Sequence, residues 1–377
     1  MLFKSNAMRS YQQIAVLLGL TAINLANGQA LRIPDNTNIN CLTGRKVGVT
    51  EIEIRYNAPS VKGRDGKIYG TGVVPFGYNV LGFGSNMPSP WRAGADEATT
   101  MRFSTDVFIN GKKLPAGDYA FFIEVQPGNS TLIFNKNTNE WGSYFYRKDL
   151  DVLQVATTQQ KGLSQLQEKL LYDFSNETDS SVDINLIWER WRFPIHVTID
   201  KKQTYLEDIR RQMSGAIGFD PASLEAAAQW CVANNVNYEE ALTWINSATD
   251  PNLGGRNNFS ALQTKATLLE RSGKQAEATQ VMATALENAT PIELHQYGRY
   301  LMNQNKMKEA KEVFEKNYTK NKGAWPSNVG MMRIYSATGD YKKALEHAKA
   351  ALLQAPDDLN KKSLESAIKN LEQGKPV

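Results

Sequence analysis

The spacing of apolar residues changes near position 203. Before it, hydrophobic side chains recur at every second residue; after it they recur at intervals of three and four. The first spacing lines one face of a half-buried strand and the second lines one face of a helix. The chain is therefore expected to be an α+β, two-domain protein. Residues 31–202 read as an antiparallel, β-sandwich-like domain and residues 203–377 as an α-solenoid of stacked helix pairs. A chain of 377 residues is long enough for each part to bury its own core.

In the first half, residues 51–56 read Glu-Ile-Glu-Ile-Arg-Tyr, with Ile52, Ile54 and Tyr56 on one face. Met101, Phe103, Val107 and Ile109 alternate in the same way, and the run stops at Asn110-Gly111, a hairpin signal. Its return strand is expected over residues 119–125, after the bend at Pro115 to Asp118. Leu170, Tyr172 and Phe174 form a further strand, which should pair with the alternation Val182, Ile184, Leu186 and Trp188. The last strand runs over residues 191–199, and Pro194 within it suggests a sheet edge. No alternating helices occur, which speaks against a nucleotide-binding α/β sheet.

In the second half, three segments align on Ala278, Ala310 and Ala344, spaced 32 and 34 residues apart. A period near 34 indicates stacked helix pairs. With Leu262, Ala266, Leu269, Leu294, Gly298, Leu301, Phe314 and Ala348 in register, residues 259–356 resemble the tetratricopeptide repeat. A weaker unit precedes them around Ala241, Ile245 and Ala248. Asn317 departs from the pattern at a position normally small and apolar, and only Pro356 keeps the closing proline. Leu359, Leu364, Ile368 and Leu371 are expected on a helix that caps the array.

The β half carries Tyr56-Asn57-Ala58-Pro59-Ser60-Val61-Lys62-Gly63-Arg64 and Trp91-Arg92-Ala93-Gly94-Ala95-Asp96-Glu97-Ala98-Thr99. These segments, with residues 110–119 and Trp141-Gly142, resemble an uncharacterised family of exported bacterial proteins, a domain of unknown function. The resemblance implies architecture and export and no active residues. Residues 78–90, with two glycines and two prolines, form a longer stretch before Trp91 than the family pattern has, and are expected to be an extended loop.

Residues 1–30 place Lys4 and Arg9 before an apolar run and end in Gly28-Gln29-Ala30, the order of a secretory signal cleaved after Ala30. The expected product is exported, periplasmic or secreted, with no membrane span. Removing Lys4 and Arg9 from the 43 Lys and Arg leaves 41 against 39 Asp and Glu. That near-neutral balance, without basic runs, speaks against nucleic acid as a partner. Cys41 and Cys231 lie in different predicted domains; export permits a disulfide, and a buried free thiol at Cys231 is the favoured alternative.

The segment 91–99 with the turn 59–64 is the candidate ligand site, through Trp91, Arg92, Asp96, Glu97 and Arg64. Trp91 and Arg92 suit a sugar or other planar ligand. Asp96 and Glu97 suit a general acid/base pair, the alternative being that they pair locally or cap turns. His196, His295 and His347 are isolated, so no metal is expected, and no motif calls for a cofactor. In the repeats, Gln263, Thr267 and Glu270, then His295 and Arg299, then Arg333 are expected to line one groove that docks a protein or peptide, with the arginines suited to a carboxylate. The functional expectation is a non-catalytic exported interaction or scaffold protein. The alternative is a hydrolase acting on a glycan or envelope component through residues 91–99.

Overall fold

The computed structural model describes residues 38–377, so the expected signal sequence and its cleavage point lie outside the described residues. The chain divides into two compact units, the first ending at Lys201 and the second running Lys202–Val377. The first is built from two antiparallel sheets and the second from helices.

Eleven strands are formed among the described residues of the first unit: β1 (Ile39–Val47), β2 (Thr50–Ala58), β3 (Ala95–Phe103), β4 (Val107–Ile109), β5 (Lys112–Leu114), β6 (Gly117–Glu124), β7 (Ser130–Asn135), β8 (Asp151–Thr157), β9 (Gln167–Ser175), β10 (Ser181–Glu189) and β11 (Trp191–Thr198). One sheet has the order β1-β2-β3-β6-β7-β8 and the other β5-β4-β11-β10-β9. Ile52, Ile54, Tyr56 and Phe121 from the first sheet share one core with Tyr172, Leu186 and Phe193 from the second, which makes a sandwich. β9 and β10 pair as expected, with Leu186 opposite Tyr172.

The run from Met101 to Ile109 is not one strand. β3 and β4 lie in different sheets, and the polar stretch 104–106 turns the corner between them. The Glu51 amide donates to Ser104 Oγ at 2.8 Å and the Thr50 and Thr105 hydroxyls are 2.6 Å apart. Asp106 Oδ1 accepts from the Ala116 amide at 2.9 Å. Asn110 and Gly111 do make a tight turn, both with positive φ of 47° and 80°, but it joins β4 to the short β5. The strand expected to return from that turn, β6, pairs instead with β3, Tyr119 lying opposite Met101. Pro194 lies inside the sheet order on β11, at a stretch its neighbour β4 does not reach: their pairing is confined to Val197 and Thr198.

The ten helices of the second unit are α1 (Lys201–Met213), α2 (Pro221–Asn234), α3 (Tyr238–Ala248), α4 (Phe259–Arg271), α5 (Gln275–Asn288), α6 (Pro291–Asn303), α7 (Met307–Lys320), α8 (Trp325–Ala337), α9 (Tyr341–Leu352) and α10 (Asp358–Glu372). Successive helices pack on one another. Their starts follow from local chemistry: Asp220, Asn258 and Asp357 accept backbone hydrogen bonds at the caps of α2, α4 and α10, and Thr290 with Glu293 closes a capping box on α6.

Ala278, Ala310 and Ala344 are all buried where helices cross. Phe314 of α7 is wedged between Gly298 of α6 and Gly330 of α8; a Cβ at those glycines would lie 2.4 Å and 2.3 Å from its ring. The buried Asn317 is accommodated because its Nδ2 donates to the Pro291 carbonyl at 2.9 Å and its Oδ1 accepts from Asn321 at 2.8 Å. α10 buries Leu364, Ala367 and Leu371 against Val329 and Met332. Leu359 does not join that face: it is 79% exposed in the helix's first turn. Cys41 and Cys231 are both free thiols.

Candidate functional site

Between β2 and β3 the chain makes a long excursion over residues 59–94, and its return brings Trp91 back onto β6. The Trp91 amide donates to the Ile123 carbonyl at 3.1 Å, and the Ile123 amide donates back at 2.9 Å. This pins the tryptophan, whose ring stacks on Trp188 at 6.1 Å and meets Tyr69 edge-on at 6.0 Å. Trp91 is thus part of the sandwich core and also a wall of a cleft of about 480 Å³.

Arg64 and Arg92 reach that cleft by different routes. The turn 60–64 wraps around the Arg64 guanidinium, which donates from Nε to the Val61 carbonyl (2.9 Å) and from Nη2 to the Ser60 carbonyl (2.8 Å). Arg92 donates from Nη1 to the Asp96 carbonyl at 2.7 Å and lies 5.3 Å from the centre of the Tyr144 ring. Glycine suits position 142 beside it, since the backbone has φ of +63° and a Cβ there would stand 2.3 Å from Arg92 Nη1 and push the guanidinium aside. This gives a physical reason for the Trp141-Gly142 pair.

The strand that follows begins irregularly. Arg55 pairs with Thr100 but Asn57 with Ala95, so β3 bulges against β2. Ala93 and Asp96, on either side of Gly94, both have left-handed backbones with φ of 50° and 56°. Such a conformation costs about 1–2 kcal/mol for a residue with a Cβ. It is held by the buried Tyr172 hydroxyl, which donates to the Ala93 carbonyl at 2.9 Å, and by Thr99 Oγ1 at 3.2 Å. Strain maintained by buried hydrogen bonds beside a cleft is a feature of ligand sites.

The bulge also separates the two adjacent carboxylates. Asp96 lines the cleft, its Oδ2 accepting from Asn38 Nδ2 at 2.9 Å. Glu97 does not line it, and its Oε2 accepts from Asn57 Nδ2 at 2.7 Å. The structure therefore brings Arg64, Trp91, Arg92 and Asp96 together and leaves Glu97 outside, so the acid/base pair read from the sequence is not formed in the cleft. Aromatic walls with two guanidiniums and one carboxylate suit a ligand that offers both a flat apolar face and polar edges.

Three further lining residues were not read as site residues from the sequence. Trp188 contributes an indole Nε1 that is buried without a partner. Trp141 is 52% exposed at the rim, and Tyr144 stands under Arg92. Trp188 read as an ordinary core residue of β10; Trp141 was noted only within the Trp141-Gly142 resemblance, and Tyr144 had no local signal beyond the aromatic density of residues 141–146.

Residues 40–197 match the family model of a protein of unknown function (DUF2911). The matched stretch runs from within β1 to within β11 and so takes in every strand that builds the cleft. No curated protein matches the chain.

In the helical unit the expected single groove is two separate pockets. Gln263, Thr267 and Glu270 line one of about 760 Å³ between α4, α5 and α6, together with Tyr297 and Tyr300. His295, Arg299 and Arg333 line another of about 440 Å³, of which α10 forms one wall. The reason is the position of α10, whose Asn360 and Ser363 wall the second pocket and have no counterpart in the first. Among the described residues no group of histidine, cysteine and carboxylate side chains is placed to hold a metal, and no helix is long and apolar enough to cross a membrane.

Proposed function

We propose that this chain is an exported, non-catalytic interaction protein, in which a tetratricopeptide-like array docks a protein partner and the β-rich unit holds a ligand in the Trp91 cleft. The observation that carries binding over catalysis is the division of Asp96 from Glu97: the cleft has aromatic walls and paired arginines but, among the described residues lining it, one carboxylate. General acid/base hydrolysis of a glycosidic bond generally uses two. The hydrolase reading keeps Asp96, which does line the cleft, and loses the partner it was given.

Docking by the helices is supported by the pocket of about 760 Å³ and by Tyr300 at its edge, 53% exposed and stacked on Tyr297 at 6.1 Å. Exposed tyrosines beside a concave surface are typical of protein interfaces. The alanine and glycine positions that recur along α4 to α9 support the tetratricopeptide likeness. Residues 1–30, with their charged start and Gly28-Gln29-Ala30 end, support export to the periplasm or beyond.

The test is cross-linked capture from the exported fraction by the full mature chain, compared with a Thr267→Arg/Tyr300→Ala variant. The expected result is loss of one or more partners with the variant. An unchanged partner set would remove the docking reading.

A further inference from the structure

The mouth of the Trp91 cleft adjoins an apolar surface that the fold does not bury. Among the described residues of the β-rich unit, exposed large apolar side chains gather in two segments. Phe76, Val80, Phe83 and Met87 lie in the excursion from β2, and Trp141 and Phe145 lie between β7 and β8. Ile39, Leu42 and Leu171 are the exceptions. Phe83 is 75% exposed and Met87 61%. A single exposed apolar residue needs no explanation, whereas a group of them marks an interaction surface.

The two segments meet. Asn79 and Ser89 exchange backbone hydrogen bonds of 2.9 and 3.0 Å and so close the base of a loop. Its tip is pinned to the second segment: the Ser85 amide donates to the Tyr144 carbonyl at 2.9 Å, and Phe83 meets the Tyr144 ring edge-on at 6.4 Å. Gly84, with φ of +66°, permits this approach, since a Cβ there would stand 2.3 Å from the Tyr144 carbonyl oxygen. The loop is thus held in a shape that keeps Phe83 and Met87 in water. Residues 68–91 contain no charged side chain, so no charge on the loop has to be dehydrated when its tip leaves water.

The cleft beside this loop is cationic. Arg64 and Arg92 line it against one carboxylate, Asp96, and the hydrogen bonds they make among the described residues go to backbone carbonyls. Trp188 Nε1, buried and unpartnered, can only donate. Asn79 and Ser89 spend their side chains on carbonyls of their own excursion. The unspent groups therefore call for an acceptor that carries negative charge.

A cationic cleft bordered by exposed apolar side chains matches the boundary of a lipid layer, where phosphates lie just outside hydrocarbon. One acyl chain lying across the rim would leave side chains this exposed still partly in water, whereas insertion into a layer covers them together. We propose that this face of the β-rich unit docks on an anionic lipid surface. Val80, Phe83, Met87, Trp141 and Phe145 enter the interface, and the cleft takes a headgroup phosphate through Arg64, Arg92 and the Trp188 indole N–H. The headgroup part rests on the reading of the cleft as a ligand site; the apolar part does not.

The test is flotation of the mature chain, freed of residues 1–30 whose apolar run would itself bind lipid, with vesicles of phosphatidylcholine and of its equal mixture with phosphatidylglycerol. Phe83→Ser/Met87→Ser and Arg92→Gln are the variants; Phe83 and Met87 are exposed, so their replacement leaves the core intact even if Arg92→Gln disturbs the bulge. Tryptophan fluorescence with glycerol 1-phosphate reads the cleft by itself.

The expected result is binding to the mixed vesicles, weakened roughly 10-fold or more by Phe83→Ser/Met87→Ser, with Arg92→Gln losing most of the preference for phosphatidylglycerol. No vesicle binding, or a Phe83→Ser/Met87→Ser variant that binds as wild type, would overturn the proposal. So would vesicles left unbound while that variant loses a cross-linked protein, which would give the surface to a protein partner. Fluorescence that answers glycerol 1-phosphate without vesicle binding keeps the cleft as a ligand site and overturns the lipid surface alone. Vesicle binding that needs Phe83 and Met87 but is indifferent to Arg92→Gln and to phosphatidylglycerol overturns the headgroup site, and the reading of the cleft with it.

Discussion

Replacing Gly330 by alanine should destabilise the helical unit although it improves intrinsic helix propensity. The new Cβ would lie 2.3 Å from Cδ1 and 2.8 Å from Cε1 of Phe314. The ring cannot retreat, because Phe314 is fully buried and Gly298 holds its other side, where a Cβ would come within 2.4 Å. Overpacking of this kind costs about 1–3 kcal/mol, against a propensity gain of up to ~1 kcal/mol. The net expectation is a loss of about 1–2 kcal/mol, or roughly 2–8 °C in the melting transition of a unit this size. Differential scanning calorimetry of the full chain measures it. Phe314→Leu in the Gly330→Ala background should recover part of the loss, because the two changes share one contact. A transition that is unmoved or raised in Gly330→Ala would refute the idea that ring-on-glycine packing sets the spacing of these helices.

Three further outcomes are expected. Gly142→Ala should displace the Arg92 guanidinium from the Asp96 carbonyl, lowering stability by about 1–2 kcal/mol through the left-handed backbone and removing ligand binding at the cleft; chemical denaturation and titration of any cleft ligand check both. Truncation after Pro356 removes α10 and exposes Val329 and Met332, so the helical transition should fall, and a shortened chain melting with the full one would contradict the cap.

The third concerns His295, whose pKa is pulled from 6.5 down to about 4 by burial and then by the charges of Arg333 and Arg299, while α10 faces it with the neutral Asn360 and Ser363. The unfolded chain takes up this proton more readily, so stability is full above about pH 6.5 and falls as pH drops toward 4, by about 3 kcal/mol. Urea midpoints across that window should fall more steeply for wild type than for His295→Gln.

Legibility of the fold in the sequence followed burial. β2 and β9 to β11 alternate apolar and polar residues along most of their length, so their strands were readable even where Asn185 and Glu189 of β10 are buried on the second face. β6 is buried on both faces, with Ala120 and Phe122 packed under Tyr146, yet Tyr119, Phe121 and Ile123 still marked it. β7 is buried on both faces too, and its apolar stretch, Leu132-Ile133-Phe134 between polar ends, gave no period to read. The corner at residues 104–106 is encoded in hydrogen bonds to β2 that no local pattern reveals.

The cleft was legible where its residues are contiguous, as at Trp91, Arg92 and Asp96, and illegible where distant strands complete it, as at Trp188. His295 and Arg299 were visible as an i, i+4 pair. That their neighbourhood is a walled pocket depends on α10, some sixty residues away in the chain, and could not be read from spacing.

The most direct test of a docking protein is hydrogen exchange of the full mature chain, alone and saturated with its captured partner. The account predicts slowed exchange in the segments that line the concave pockets, residues 263–286 and 295–309, with the partner chemically unchanged. Exchange unaltered in those helices, or a partner recovered cleaved, would contradict it.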